Sequence, residues 1–98
     1  MAPVTDAQVE RVRALVAAIP AGRVATYGDI ASAAGLSSPR IVGWIMRTDS
    51  ADLPWHRVIT ASGRPAAHLA TEQLELLRAE GVLSDDGRIP LSQVRFAF

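Results

Sequence analysis

"TYGDIASAAGLSSPRIVGWIMR", residues 26–47, is the stretch whose reading decides the fold. Thr26, three residues before Asp29, is a capping box that opens a helix through Ile30 and Ala31, and Gly35 is the residue type that closes one. After a brief turn, Ser38 is a good N-cap and Pro39 a good first helical residue. The next helix is read as Pro39 to Arg47. It turns Ile41, Val42 and Ile45 toward a core and leaves Arg40, Gly43, Trp44 and Arg47 on the opposite face, at spacings of three and four. Two short helices joined by so short a turn read as a helix-turn-helix.

Upstream, Thr5 and Gln8 form another capping box ahead of Val9, Val12, Leu15, Val16 and Ile19, which predicts an amphipathic helix over roughly residues 6 to 18. Pro20 and Gly22 break it, and Val24 opens a short extended piece. Downstream, a polar loop leads through Pro54 into "HRVIT", residues 56–60, read as a short strand, with a turn at Ser62-Gly63. A further helix from about Ala70 to Glu80 carries Leu74, Leu76 and Leu77 and ends at Gly81. Asp86-Gly87 is a hairpin turn signal, so the tail to Phe96 and Phe98 is expected to form a small wing. With no repeats or linkers, residues 1–98 read as one α+β domain.

Composition narrows the chemistry. No apolar run approaches the length that spans a bilayer, and the start "MAPVTDAQVERV" lacks a secretory pattern, so a cytosolic, nucleoid-associated protein without membrane partners is expected. Cysteine is absent, which removes disulfides, thiolate metal sites and cysteine nucleophiles from this sequence. His56 and His68 have no neighbours at metal-ligand spacing, so neither metal nor cofactor is expected. Ten basic residues balance ten acidic ones, against coating nucleic acid by bulk charge. All ten bases are arginine, a side chain that forks onto phosphates and stacks on bases.

The motifs "IPAGRVATYGDIA", "SPRIVGWIMR", "PWHRVI", "SG" and "LLRAEGV" resemble, in order, the DNA-binding domain of O6-alkylguanine-DNA alkyltransferases. The resemblance spans about Val9 to Val82. In that family the central motif is Pro-Cys-His-Arg-Val, with cysteine accepting the alkyl group; here Trp55 holds that place, as in the alkyltransferase-like proteins. The chemistry agrees: alkyl transfer needs a soft nucleophile such as a thiolate, and an indole nitrogen has no available lone pair.

The resemblance implies a small winged helix-turn-helix-like domain of the alkyltransferase C-terminal type, acting as a monomeric, non-enzymatic sensor of O6-alkylguanine in double-stranded DNA. It implies minor-groove docking through Ser38, Pro39, Arg40, Gly43 and Arg47, with Arg40 filling the gap left by a flipped nucleotide and Tyr27 crowding the target phosphate. The lesion pocket would comprise Tyr27, Trp55, His56 and Arg64, with His56 and Glu80 as a structural pair. Hand-over to nucleotide-excision-repair damage-recognition proteins is implied as well. The chain departs from the family at Trp44, where glycine or another residue compatible with the groove is usual, at Asp49, near a hinge asparagine, and at "RPAAHLATEQ", which replaces a glycine-rich stretch. Two other readings compete: a winged helix-turn-helix regulator of undamaged operators, and an interaction module that has lost lesion binding.

Overall fold

The computed structural model describes residues 4–98. Helix α1 spans Asp6–Ala17, strand β1 Ala25–Thr26, α2 Tyr27–Ala34, α3 Pro39–Thr48, β2 Val58–Ile59, α4 Ala70–Ala79 and α5 Leu91–Val94. Both capping boxes form: Thr5 with Gln8, and Thr26 with Asp29. Gly35 ends α2 in the left-handed conformation at φ 70°, which costs glycine nothing sterically. Ser38 accepts a hydrogen bond from the Arg40 backbone N–H and opens α3 with Pro39 behind it. The helix-turn-helix therefore stands as its spacing predicts, with α2 packed on both α1 and α3.

β1 and β2 pair in parallel, Ala25 beside Val58 and Thr26 beside Ile59. A parallel pair needs a crossover, and here α2 and α3 form it. Successive side chains on a strand point to opposite faces, so the pair divides two cores. Ala25 and Val58 join Val12, Val16, Ile19, Ile30, Ala31, Val42, Ile45 and Met46 on the helical side. Val24 and Ile59 join Leu77, Val82 and Ile89 on the other. Each fully buried branched side chain contributes roughly 1.5–3 kcal/mol.

Three expectations need correction. His56 and Arg57 belong to a 3-10 turn, Trp55–Arg57, that precedes the strand: Arg57 N–H donates to the Pro54 carbonyl at 3.0 Å, which holds the chain in a turn until Val58. On α4, Leu76 is exposed, while Gln73 is buried and donates from Nε2 to the carbonyls of His56 (3.0 Å) and Val58 (2.8 Å). A polar side chain thus takes an inward position because it satisfies backbone acceptors at the end of the 3-10 turn. The tail, finally, departs from a two-stranded wing. Asp86 and Gly87 both have positive φ, 52° and 76°, as a two-residue hairpin turn requires. The ladder stops after the single Asp85–Arg88 pair, because Ile89 N–H donates instead to the Gly63 carbonyl at 2.8 Å and Pro90 has no N–H to give. The chain turns through α5 and returns to β1, where Val24 N–H donates to Val94 O (3.0 Å) and Phe96 N–H to Val24 O (2.7 Å). Arg95 fastens this return with a two-pronged pair to Asp29, at 2.9 and 2.7 Å.

Candidate nucleic-acid interface and its cavity

A cavity of about 520 Å³ opens beside α3, lined by Tyr27 from the start of α2, Gly43, Met46, Arg47 and Thr48 from α3, the following segment Asp49–Asp52, and Trp55, His68 and Leu69. Its size lies within the ~300–1,000 Å³ of small-molecule sites. The Trp55 indole is half-buried: one side rests on the helical core, and it also lines the cavity. Burial raises the Tyr27 pKa above its ordinary value, only partly offset by the nearby Arg47 guanidinium. The phenol therefore stays neutral at physiological pH, able both to donate and to accept.

Of the residues assigned to a pocket from sequence, Tyr27 and Trp55 meet here; His56 and Arg64 do not. His56 meets the Trp55 ring edge to face, centroids 6.2 Å apart, and its Nε2 lies 2.8 Å from Glu80 Oε2. Glu80 also accepts from Arg57 Nη2 at 2.7 Å, from Arg57 Nε at 3.0 Å and from the Gly22 backbone N–H at 3.0 Å. The Arg57 hydrogen bonds, helped by His56 and Gly22, hold the Glu80 pKa down at about 2. An ionised carboxylate only accepts, so His56 donates to it from Nε2. His56 is thus committed behind the Trp55 wall. Arg64 sits beyond the Ser62-Gly63 turn, its Nη1 donating to the Asp86 carbonyl at 3.0 Å, which holds it on the hairpin and off the cavity lining.

The residues assigned to an interface, Tyr27 apart, lie on α3 or at its N-cap. Ser38, Pro39 and Arg40 form the start of α3, and Pro39 and Arg40 are exposed. Apart from its chain neighbours and its own helix backbone, nothing lies within 4 Å of where a Gly43 Cβ would stand. Arg47 is exposed at the cavity mouth. Neither Arg40 nor Arg47 forms an ion pair among the described residues.

Sequence reasoning missed Arg13. From α1 its Nη1 donates to the Asp49 carbonyl (2.8 Å), Asp49 Oδ1 (3.1 Å) and Asp52 Oδ1 (3.1 Å), while Nη2 donates to Asp52 Oδ2 (2.6 Å). Bidentate geometry fixes orientation as well as distance. Arg13 thereby anchors both ends of the segment Asp49–Asp52 that walls the cavity. Ser50, inside that segment, donates its hydroxyl to the Met46 carbonyl. No local signal marks Arg13, whose partners lie 36 and 39 residues away. Arg57 was equally overlooked, although it adjoins His56 and donates from Nη1 to the Ile19 carbonyl at 2.9 Å.

Residues 7–82 match the family described as 6-O-methylguanine DNA methyltransferase, DNA binding domain. The chain belongs to this family. Within it, the chain is 40% identical over 101 residues to the DNA base-flipping protein of Escherichia coli (strain K12), covering 95% of this chain and 77% of that one. It is 39% identical over 74 residues to alkyltransferase-like protein 1 of Schizosaccharomyces pombe, 68% of each. The S. pombe protein solved with damaged DNA containing O6-carboxymethylguanine superposes with a TM-score of 0.83 at 30% identity, over 98% of this chain and 100% of that one. The O6-methylguanine methyltransferase of Mycobacterium tuberculosis gives 0.67 at 31% identity, over 85% of this chain and 53% of that larger one. The 6-O-methylguanine DNA methyltransferase DNA-binding fold thus holds over essentially the whole described chain.

Proposed function

We propose that the protein is a non-enzymatic sensor of O6-alkylguanine in duplex DNA. One observation carries the reading: Tyr27, Arg47 and the Trp55 indole converge on a single cavity whose mouth opens beside α3. Trp55 stands in the motif position of an acceptor cysteine, and none of the 98 residues is cysteine. The relative from S. pombe solved with damaged DNA shares the fold at a TM-score of 0.83, and the E. coli relative bears the name of a base-flipping protein.

On this reading α3 docks in the minor groove, where Ser38, Pro39 and Gly43 permit close approach. Arg40, exposed and without an ion-pair partner among the described residues, enters the duplex and stacks in the gap of the extruded nucleotide. Stacking and hydrogen bonding there offset part of the few kcal/mol that flipping costs. Tyr27 crowds the phosphate beside it. The alkylated base enters the cavity and rests against Trp55 and Met46, where each buried methylene of the alkyl group contributes ~0.8 kcal/mol. No thiol awaits it, so the complex persists as a signal, which nucleotide-excision-repair damage-recognition proteins take up. His56 and Glu80 shape the wall behind Trp55.

The test is Arg40→Ala on a duplex with one O6-methylguanine bearing a labelled methyl group. All label stays on the DNA with parent and variant alike. The variant loses most of its lesion binding while melting within roughly 0.5 kcal/mol of the parent, as a surface change should. Stoichiometric label on the protein, or undiminished binding by the variant, rejects the reading.

A further inference from the structure

Trp44 lies on the exposed face of α3 and outside the cavity lining. It is 48% exposed, whereas Val42, Ile45 and Met46 of the same helix are buried. At about 100° per residue, Arg40, Gly43, Trp44 and Arg47 fall within an arc of roughly 100° on α3, and Gly43 leaves the surface beside the indole bare. We infer that Trp44 is a second contact with duplex DNA, an apolar wedge one helical turn from Arg40 that engages the base stack whether or not the DNA is damaged.

Charge and spacing argue for DNA as the occupant of this face. Helix α3, "PRIVGWIMRT", carries two arginines and no acidic residue. The neighbouring acids Asp49 and Asp52 are held by Arg13. An exposed aromatic ring flanked by guanidinium groups suits the combination of apolar wedge and arginine that minor-groove proteins use to unstack and bend DNA. Four residues of helix advance ~6 Å, close to two base steps of ~3.4 Å along a strand. With Arg40 in the gap of the flipped nucleotide, Trp44 reaches a neighbouring step and not the same one.

The inference rests on the proposed DNA docking of α3, but not on lesion preference, and the experiment separates the two. Parent, Trp44→Gln and Trp44→Phe are titrated against matched duplexes with and without one O6-methylguanine, and bending is followed by energy transfer between the duplex ends. Aromatic–base stacking is worth enough to make Trp44→Gln about tenfold weaker. The loss should be equal on both duplexes, with a reduced bend, and Trp44→Phe should recover most of both. Thermal melting of Trp44→Gln should match the parent, since the ring is outside the core. Unchanged or tighter binding by Trp44→Gln overturns the wedge and leaves the ring for a protein partner or as an obstruction. A loss confined to the damaged duplex also overturns it, because it would move Trp44 into lesion recognition. A parent that binds both duplexes equally sinks the sensor reading alone, provided Trp44→Gln still weakens both.

Discussion

Replacing Glu80 with Gln keeps the shape of the side chain and removes the charge that His56, Arg57 and Gly22 converge on. The Glu80 pKa falls from 4.5 to about 2 in the folded protein. At ~1.4 kcal/mol per unit the linkage is worth up to ~3.4 kcal/mol. Its side chain is 15% exposed and that of Arg57 18%, so the cluster lies close to water; ~2–3 kcal/mol is the better figure. A depressed carboxylate pKa stabilises the fold above the unfolded value of 4.5, and that stability disappears as pH falls through the folded value near 2. Urea denaturation of parent and Glu80→Gln should therefore differ by ~2–3 kcal/mol at pH 7. That corresponds to roughly 10–20 °C in Tm for a domain of this size. The two proteins should converge between pH 4.5 and 2, since protonated Glu80 also leaves the Arg57 guanidinium without a counter-charge. Asp29 and Asp52 have lowered pKa values through Arg95 and Arg13, but they are common to both proteins and cancel in the difference. A gap under 1 kcal/mol at pH 7, or one that persists undiminished at pH 2.5, would refute the linkage.

Three further outcomes follow from named contacts. Gly63→Ala places a Cβ 2.6 Å from the Ile89 carbonyl oxygen at φ 81°, so a loss of ~1–3 kcal/mol or more in denaturant titration is expected; an unaffected midpoint would contradict the close approach. Arg13→Met frees the Asp49–Asp52 wall, so the preference for an O6-methylguanine duplex should fall several-fold while far-ultraviolet circular dichroism stays that of the parent; an unchanged preference would show that the wall holds itself. Trp55→Ala removes an indole that is shared between core and cavity, so ~1–3 kcal/mol of stability should be lost, below the ~3–5 of a fully buried aromatic. Lesion binding should weaken more than binding to undamaged DNA, and a loss of stability with unchanged preference would assign Trp55 to the core alone.

The helix-turn-helix was legible because its signals are local: Thr26 with Asp29, Gly35, Ser38 and Pro39 each act within three or four residues. The tail was not, because the fate of Asp86-Gly87 depends on Gly63, which takes the Ile89 N–H across a distance in sequence that no spacing rule sees. The same holds for the cavity. Trp55 and Tyr27 were readable from motifs, whereas Arg64 was drawn away by the Asp86 carbonyl and Arg13 entered from another helix. Gln73 escaped notice because a leucine-rich helix invites an apolar reading, and only the two carbonyls above it explain a buried amide.

On the proposed function, the cavity beside α3 holds an alkylated guanine turned out of the duplex. The most direct measurement is a binding titration of the parent protein on two duplexes that differ only by one O6-methylguanine, with the fluorescent base 2-aminopurine placed beside the target guanine and paired with thymine, to report loss of stacking when that guanine leaves the helix. Tighter binding to the damaged duplex is expected, accompanied by a fluorescence rise that saturates with it. Equal binding to both duplexes without a change in fluorescence would contradict it.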